Sequence, residues 1–262
     1  MHTRRLLAVP LGAILTATLA GATAAPASAA KPPPIRVLVT NDDGAAAPGI
    51  DALARGLRKV PGVKVTVVAP ATNQTGASDT TTPGELRATG STTGGAPSTA
   101  VVGFPADSVN YALDTLKLQP DLVISGINKG QNVGPGVEQS GTVGAARTAA
   151  RRGVPALAVS QGYATGLEVP DYGPGVRAAV KWLKEHRKAL ASKKEQVEAF
   201  VDNLNVPTCS PGTKPRGTLE VPIATGGNYI DPQDCASTVA APVDDVSALL
   251  AGFTTLTPKI PF

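Results

Sequence analysis

Ile35-Arg-Val-Leu-Val-Thr-Asn-Asp-Asp-Gly44 decides the fold. Ile35 to Thr40 is an apolar, β-branched run and reads as a short buried strand. It runs straight into two adjacent carboxylates, Asp42 and Asp43, and then a glycine. Pro48 follows and suits the first turn of a helix reaching about Lys59. Strand, acidic turn and helix open a βαβ unit, and open α/β sheets bind ligands beyond the carboxyl ends of their strands. Adjacent carboxylates repel unless a cation or a shared proton compensates. Two readings stand side by side here. One is a site for a hard cation such as Mg²⁺ or Mn²⁺, which takes oxygen ligands. The other is an ordinary Asp-Asp-Gly turn.

Downstream, Val63 to Ala69 reads as a second strand, ending in the polar loop Pro70 to Gly76. Ser78 to Gly95 is rich in Thr, Gly and Ser and reads as loops or a short hairpin. Ala100 to Gly103 is a short strand, and Pro105 opens a helix with Val109, Ala112, Leu113 and Leu116 on one face. Asp121 to Ser125 is a further strand, followed by a glycine- and asparagine-rich loop, Gly126 to Gly136, that carries Asn128 and Asn132. Ser140-Gly141-Thr142 begins a helix of small residues reaching Ala150. Such a start suits an anion at the helix N-terminus, although an ordinary N-cap has the same residues. Val154 to Ser160 is a strand, Tyr172 to about Ala199 is one long helix or two shorter ones, and Asn203 to Pro207 is extended. Asp244 to Leu250 is a short helix and Phe253 to Thr257 a final strand. Strands alternate with helices through residue 160, which predicts an α/β fold: a mostly parallel sheet with helices on both faces. A parallel sheet places the loops 41–44, 73–76 and 126–132 at one edge.

The N-terminus reads as a secretory signal peptide. Arg4-Arg5 is basic, Leu6 to Ala20 is apolar, and Ala27-Ser28-Ala29 is a cleavage signal, with cleavage expected after Ala29. Thr3-Arg4-Arg5-Leu6-Leu7 loosely fits a twin-arginine signal, so export by either the Sec or the twin-arginine route is expected. The remainder, residues 30–262, suits one domain, with 201–262 as a loop-rich C-terminal appendage. No other apolar run reaches membrane-spanning length, so no membrane partner is expected after cleavage. Loss of Arg4 and Arg5 lowers the net charge from +4 to +2, and no block of basic residues remains to recommend a nucleic-acid polymer.

Residue scarcity excludes much chemistry. Cys209 and Cys235 are the only cysteines, and in an exported chain a disulfide between them is the leading reading. A cysteine-phosphatase loop is excluded because six residues, not five, separate Cys209 from Arg216. His2 leaves with the signal, and His186 lies in a charged helical stretch where it is expected exposed. Multi-histidine metal sites are therefore excluded, and no Gly-x-Ser-x-Gly elbow exists to build a triad. Walker A and Gly-x-Gly-x-x-Gly patterns are also absent. Trp182, the only tryptophan, reads as packing.

Taken together, Val39 to Gly44 with Ala47 to Ile50, Val67 to Pro70 with Asn73 to Gly76, Gly103 to Asp107, Ser125 to Asn128 and Ser140 to Ala146 resemble the SurE family of nucleotidases and acid phosphatases. The resemblance implies a Rossmann-like core, a divalent cation (usually Mg²⁺ or Mn²⁺), and hydrolysis of nucleoside monophosphates as small-molecule substrates. It assigns metal ligation to Asp42, Asp43, Thr75 and Asn128. Thr75 stands where the family usually has Ser, Phe104 replaces a usual Thr, and Gly136 and Gln139 stand where an acid and a Tyr are common. The resemblance also implies a homodimer or homotetramer formed by exchange of a C-terminal hairpin. Here that region is short and carries the cysteine pair, and export is a further departure.

The expected reaction is metal-assisted hydrolysis of a phosphate monoester. Asp42 or Asp43 orients or deprotonates water, Ser140, Gly141 and Thr142 hold the phosphate, and Asn132 completes the polar pocket. An aspartyl-phosphate route ranks lower, since it normally needs Asp-x-Asp spacing. The non-enzymatic alternative is an exported binding protein for a phosphorylated ligand or a metal, which the same glycine loops and helix end would serve.

Overall fold

The computed structural model describes residues 33–163, 169–192 and 198–262. The signal-peptide reading of residues 1–29 lies outside them. Residues 32–262 form one compact unit. Its strands are β1 (Ile35–Thr40), β2 (Val63–Pro70), β3 (Arg87–Thr93), β4 (Ala96–Val102), β5 (Leu122–Lys129), β6 (Ala156–Gln161), β7 (Val201–Val206), β8 (Thr218–Glu220) and β9 (Thr254–Thr257). Its helices are α1 (Pro48–Arg58), α2 (Pro105–Asn110), α3 (Gly141–Arg151), α4 (Gly173–Ala191) and α5 (Asp245–Leu250). A π-helical turn, Tyr111–Thr115, continues α2, and a 3₁₀ turn, Gly134–Gln139, precedes α3.

One nine-stranded sheet runs β3-β4-β2-β1-β5-β6-β7-β9-β8. From β4 to β7 all neighbours are parallel. The two-residue periodicity of the strands divides the core. Val37 and Val39 pack with Ile50, Leu53 and Leu57 of α1 and with Trp182 and Leu183 of α4. Leu38 packs on the opposite face with Val109 of α2 and with Val143, Ala146 and Ala149 of α3. Helices on both sides leave these strands no solvent face, hence their near-continuous apolar runs. In α1 the buried positions Ile50, Leu53, Ala54 and Leu57 follow helical spacing, and Pro48 occupies its first turn.

Strand order positions the site. From β1 the chain moves outward to β2 and the β3–β4 hairpin, then returns to add β5 on the other side of β1. The carboxyl ends of β1 and β5 therefore flank the topological switch point, where open α/β sheets bind ligands. Thr40, the last residue of β1, pairs with Ser125 of β5.

Several expectations are refined. The Thr- and Gly-rich stretch forms one arm of a full hairpin, turned by Gly94-Gly95 with both φ positive (62° and 75°), the geometry a two-residue hairpin turn demands. β5 continues past Ser125 to Lys129, with a register shift against β6 between Gly126 and Asn128, so Asn128 sits on a strand rather than in a loop. α4 ends at Ala191, and residues 193–197 of the longer helix expected there lie outside the described residues. The stretch expected as an appendage contributes β7, β9 and β8 to this same sheet. His186, expected exposed, is half-buried and stacks on Trp182 at 4.0 Å between ring centroids. No helix among the described residues is long and apolar enough to cross a membrane.

Candidate active site

Asn41 closes the turn after β1. Its amide donates to the Gly44 carbonyl at 3.0 Å and its side-chain oxygen accepts the Gly44 N–H at 3.3 Å. That local bracket fixes the two residues between. Asp42 points inward and is 2 % exposed. The Thr142 hydroxyl donates to Asp42 Oδ1 at 2.5 Å, and the Thr142 N–H also reaches the carboxylate. Gly141 permits this approach: a Cβ there would lie 2.8 Å from Asp42 Cβ and 3.1 Å from its Oδ2. The anion at the N-terminus of α3 is thus Asp42 itself, where the helix dipole and the unpaired N–H groups favour negative charge.

Burial pushes the Asp42 carboxyl up to about 7, and the neighbouring Asp43 charge adds to this, while the Thr142 bonds oppose it. Asp43 is half-buried and takes the Lys129 N–H on Oδ2 at 3.0 Å, which ties the end of β5 to the acidic turn. Burial raises its carboxyl as well, against the Lys129 N–H and charge. The Tyr172 phenol is lifted to about 12, first by burial and then by the Asp43 charge, which places Tyr172 beside the pair. Both carboxyls, held above their ordinary range chiefly by burial, keep a proton more tightly than an exposed aspartate does.

Among the described residues, Asn128 adds an unmatched oxygen at the same edge, as do the Thr40 and Ser125 hydroxyls of β1 and β5. Asn128 is 6 % exposed, and its amide nitrogen donates to the Gly130 carbonyl at 2.8 Å. Its buried Oδ1 has no hydrogen-bond partner among the described residues. An unmatched buried acceptor is costly, and a hard cation satisfies it. Among the described residues no three His, Cys, Asp or Glu side chains gather as a metal site. Asp42, Asp43, Asn128 and Thr75 would offer carboxylate, amide and hydroxyl oxygens, the ligand types Mg²⁺ or Mn²⁺ takes.

The other expected residues fall as follows. The loop of Thr75 is anchored to the pair, because the Gln74 N–H donates to the Asp42 carbonyl at 2.7 Å. Thr75 itself is exposed, its N–H bonded to Asn73 Oδ1 at 2.8 Å. Ser140 caps α3, accepting the Val143 N–H at 3.0 Å. Asn132 is tied into the sheet: its amide donates to Ser160 Oγ, its N–H to Asn205 Oδ1, and its carbonyl accepts from Asn203 and Asn205. Cys209 and Cys235 form the expected disulfide.

Beside the pair opens a cavity of about 390 Å³, lined among others by Asp43, Pro48, Asn73, Lys129, Val169 and Tyr172. Tyr172 carries no motif, and only its place at the start of α4, over the carboxyl edge, brings it here. The Thr142 bond to Asp42 was equally invisible in the sequence, since it links residues a hundred positions apart.

A family model described as survival protein SurE matches residues 37–223. The 5'-nucleotidase SurE of Methanopyrus kandleri is 46% identical over 129 residues, 48% of this chain and 49% of that protein. The 5'-nucleotidase SurE of Desulfovibrio desulfuricans is 40% identical over 179 residues, 67% of each. The chain thus spans about half the length of the first relative and two thirds of the second. Among solved structures, the SurE protein from Aquifex aeolicus aligns with a TM-score of 0.67 at 27% identity, over 85% of this chain and 92% of that one. With the family model covering most of the chain and the same fold in a solved relative, this protein belongs to the SurE family.

Proposed function

We propose that this protein hydrolyses nucleoside monophosphates to nucleoside and phosphate, with a divalent cation, Mg²⁺ or Mn²⁺, held by Asp42, Asp43, Thr75 and Asn128. The observation that carries the reading is the buried Asn128 Oδ1, unmatched at the switch point where Asp42 and Asp43 emerge. The names of the relatives support the nucleotide as substrate. When bound, the cation would neutralise phosphate charge and lower the pKa of a coordinated water. The residues of the chain do the rest. Thr142 fixes Asp42, and the Lys129 N–H fixes Asp43 by one oxygen, leaving the other for the site. One of the two carboxylates takes the proton of the attacking water. The positive end of α3, with Ser140, Gly141 and Thr142, is taken up by the Asp42 carboxylate, so it acts on a phosphate bound nearby only through its field. The cavity bordered by Asp43 and Tyr172 receives the leaving nucleoside, and its volume falls in the range of small-molecule pockets, roughly 300–1,000 Å³.

Export to an oxidising compartment belongs to the same proposal, supported by the Cys209–Cys235 disulfide. Phosphate release from a panel of mononucleotides, with Mg²⁺, Mn²⁺ or EDTA, tests the activity. Metal-dependent release that Asp43→Asn abolishes is expected. Nucleotide binding without release would instead make the protein a binding protein.

A further inference from the structure

The Asn128 amide nitrogen is bonded to the Gly130 carbonyl at 2.8 Å, and this bond fixes the direction of its unmatched side-chain oxygen. Gly130 lies in no helix or strand; its N–H donates to the Gln161 carbonyl at 2.8 Å, and the residue that follows it, Gln131, supplies a second anchor. Gln131 is 6 % exposed and its side chain is bonded throughout. Its amide donates to the Tyr229 carbonyl at 2.8 Å. Its oxygen accepts the Tyr163 N–H at 3.0 Å and the Gln233 amide at 3.4 Å. Gln233, 7 % exposed, also donates to the Asp231 carbonyl at 3.2 Å and accepts the Thr208 N–H at 3.1 Å. Two buried glutamines thus form a clasp between the end of β5 and the segment following β7.

The disulfide closes at that clasp. Thr208 immediately precedes Cys209, and Gln233 lies two residues before Cys235. The two cysteine Cα atoms are 5.5 Å apart, and the bridge closes a 26-residue span. Tyr229 and Asp231, whose carbonyls receive the glutamine amides, lie inside that span. The covalent closure therefore gathers the groups that hold Gln131, and Gln131 is covalently next to the carbonyl that orients Asn128.

We propose that the Cys209–Cys235 disulfide and the Gln233 side chain beside it position the metal centre, acting through Gln131 on the Gly130 carbonyl that aims Asn128. This rests on the reading of Asn128 as a metal ligand given above. Groups behind a metal ligand orient it, and their loss typically weakens metal binding roughly 10–100-fold.

Isothermal titration of the metal-free full chain with Mn²⁺ tests the proposal. Gln233→Leu keeps the volume and removes the bonds, and it should weaken Mn²⁺ binding about tenfold or more. The double variant Cys209→Ser/Cys235→Ser should do the same and serves where Gln233→Leu fails to fold. Arg216→Ala is the control. Arg216 bonds the Val239 and Ala251 carbonyls in the same region without touching the clasp, so its variant should keep wild-type affinity. Affinity within twofold of wild type in the clasp variants would overturn the proposal. So would an equal loss in Arg216→Ala, which would mark general loosening. Absence of Mn²⁺ binding by the wild type would instead sink the metal-site reading itself, and this inference with it.

Discussion

The Thr142 hydroxyl donates to Asp42 at 2.5 Å, joining the first turn of α3 to the end of β1. A buried carboxylate loses much of its hydration, and this bond replaces part of it. Thr142→Val keeps the shape and removes the donor. The variant should lose about 1–3 kcal/mol of stability at pH 8, where Asp42 is charged, and less at pH 5. Denaturant melts at the two pH values check this. Equal loss at both would detach the effect from the Asp42 charge.

Asp42 also makes metal-free stability depend on pH. Its folded pKa of about 7 stands above the ordinary 3.8. The fold therefore binds this proton more tightly than the unfolded chain does. Stability from this group is fully present below about pH 4 and is lost as pH rises toward 7, after which it stays flat. The full swing has an upper bound of about 4 kcal/mol. Asp42→Asn should flatten the curve and raise the metal-free melting temperature at pH 8 while abolishing activity. Calorimetry from pH 5 to 8 reads this directly, and an unchanged slope in Asp42→Asn would contradict it.

Metal affinity should run the opposite way. A cation competes with the proton on Asp42, so Mn²⁺ binding should strengthen as pH rises toward 7 and then level. Titrations at pH 5.5 and 8 should differ by about tenfold or more. Equal affinities would show that Asp42 is not a ligand.

Gly141→Ala places a Cβ 2.8 Å from Asp42 Cβ and 3.2 Å from Pro105 Cγ. Neither neighbour is free to give, so about 1–3 kcal/mol of stability should be lost. Activity should fall further than stability alone explains, because Asp42 must move. Phosphate release measured well below the variant's melting temperature separates the two effects.

The sequence made part of this site visible and hid the rest for physical reasons. That Asp42, Asp43 and Asn128 come to one edge was legible, because parallel neighbours such as β1 and β5 deliver the residues at their carboxyl ends to the same side. The boundary of β5 was misplaced because Gly126 looks like the start of a loop, although the strand runs on through a shifted register. The β3–β4 hairpin was half-seen because an edge hairpin needs no long apolar run. Thr142, Gln131, Gln233 and Tyr172 act through contacts between distant segments, which local spacing cannot encode. For Ser140 the structure shows the N-cap reading, and the helix it caps points its positive end at the Asp42 carboxylate.

The most direct test of the account is the location of the cation. Anomalous diffraction from crystals soaked in Mn²⁺ should show one strong peak bounded by Asp42, Asp43, Thr75 and Asn128 Oδ1, with metal–oxygen distances of roughly 2.1 Å. A phosphate-releasing protein whose crystals carry Mn²⁺ elsewhere, with Asn128 Oδ1 still unmatched, would contradict it.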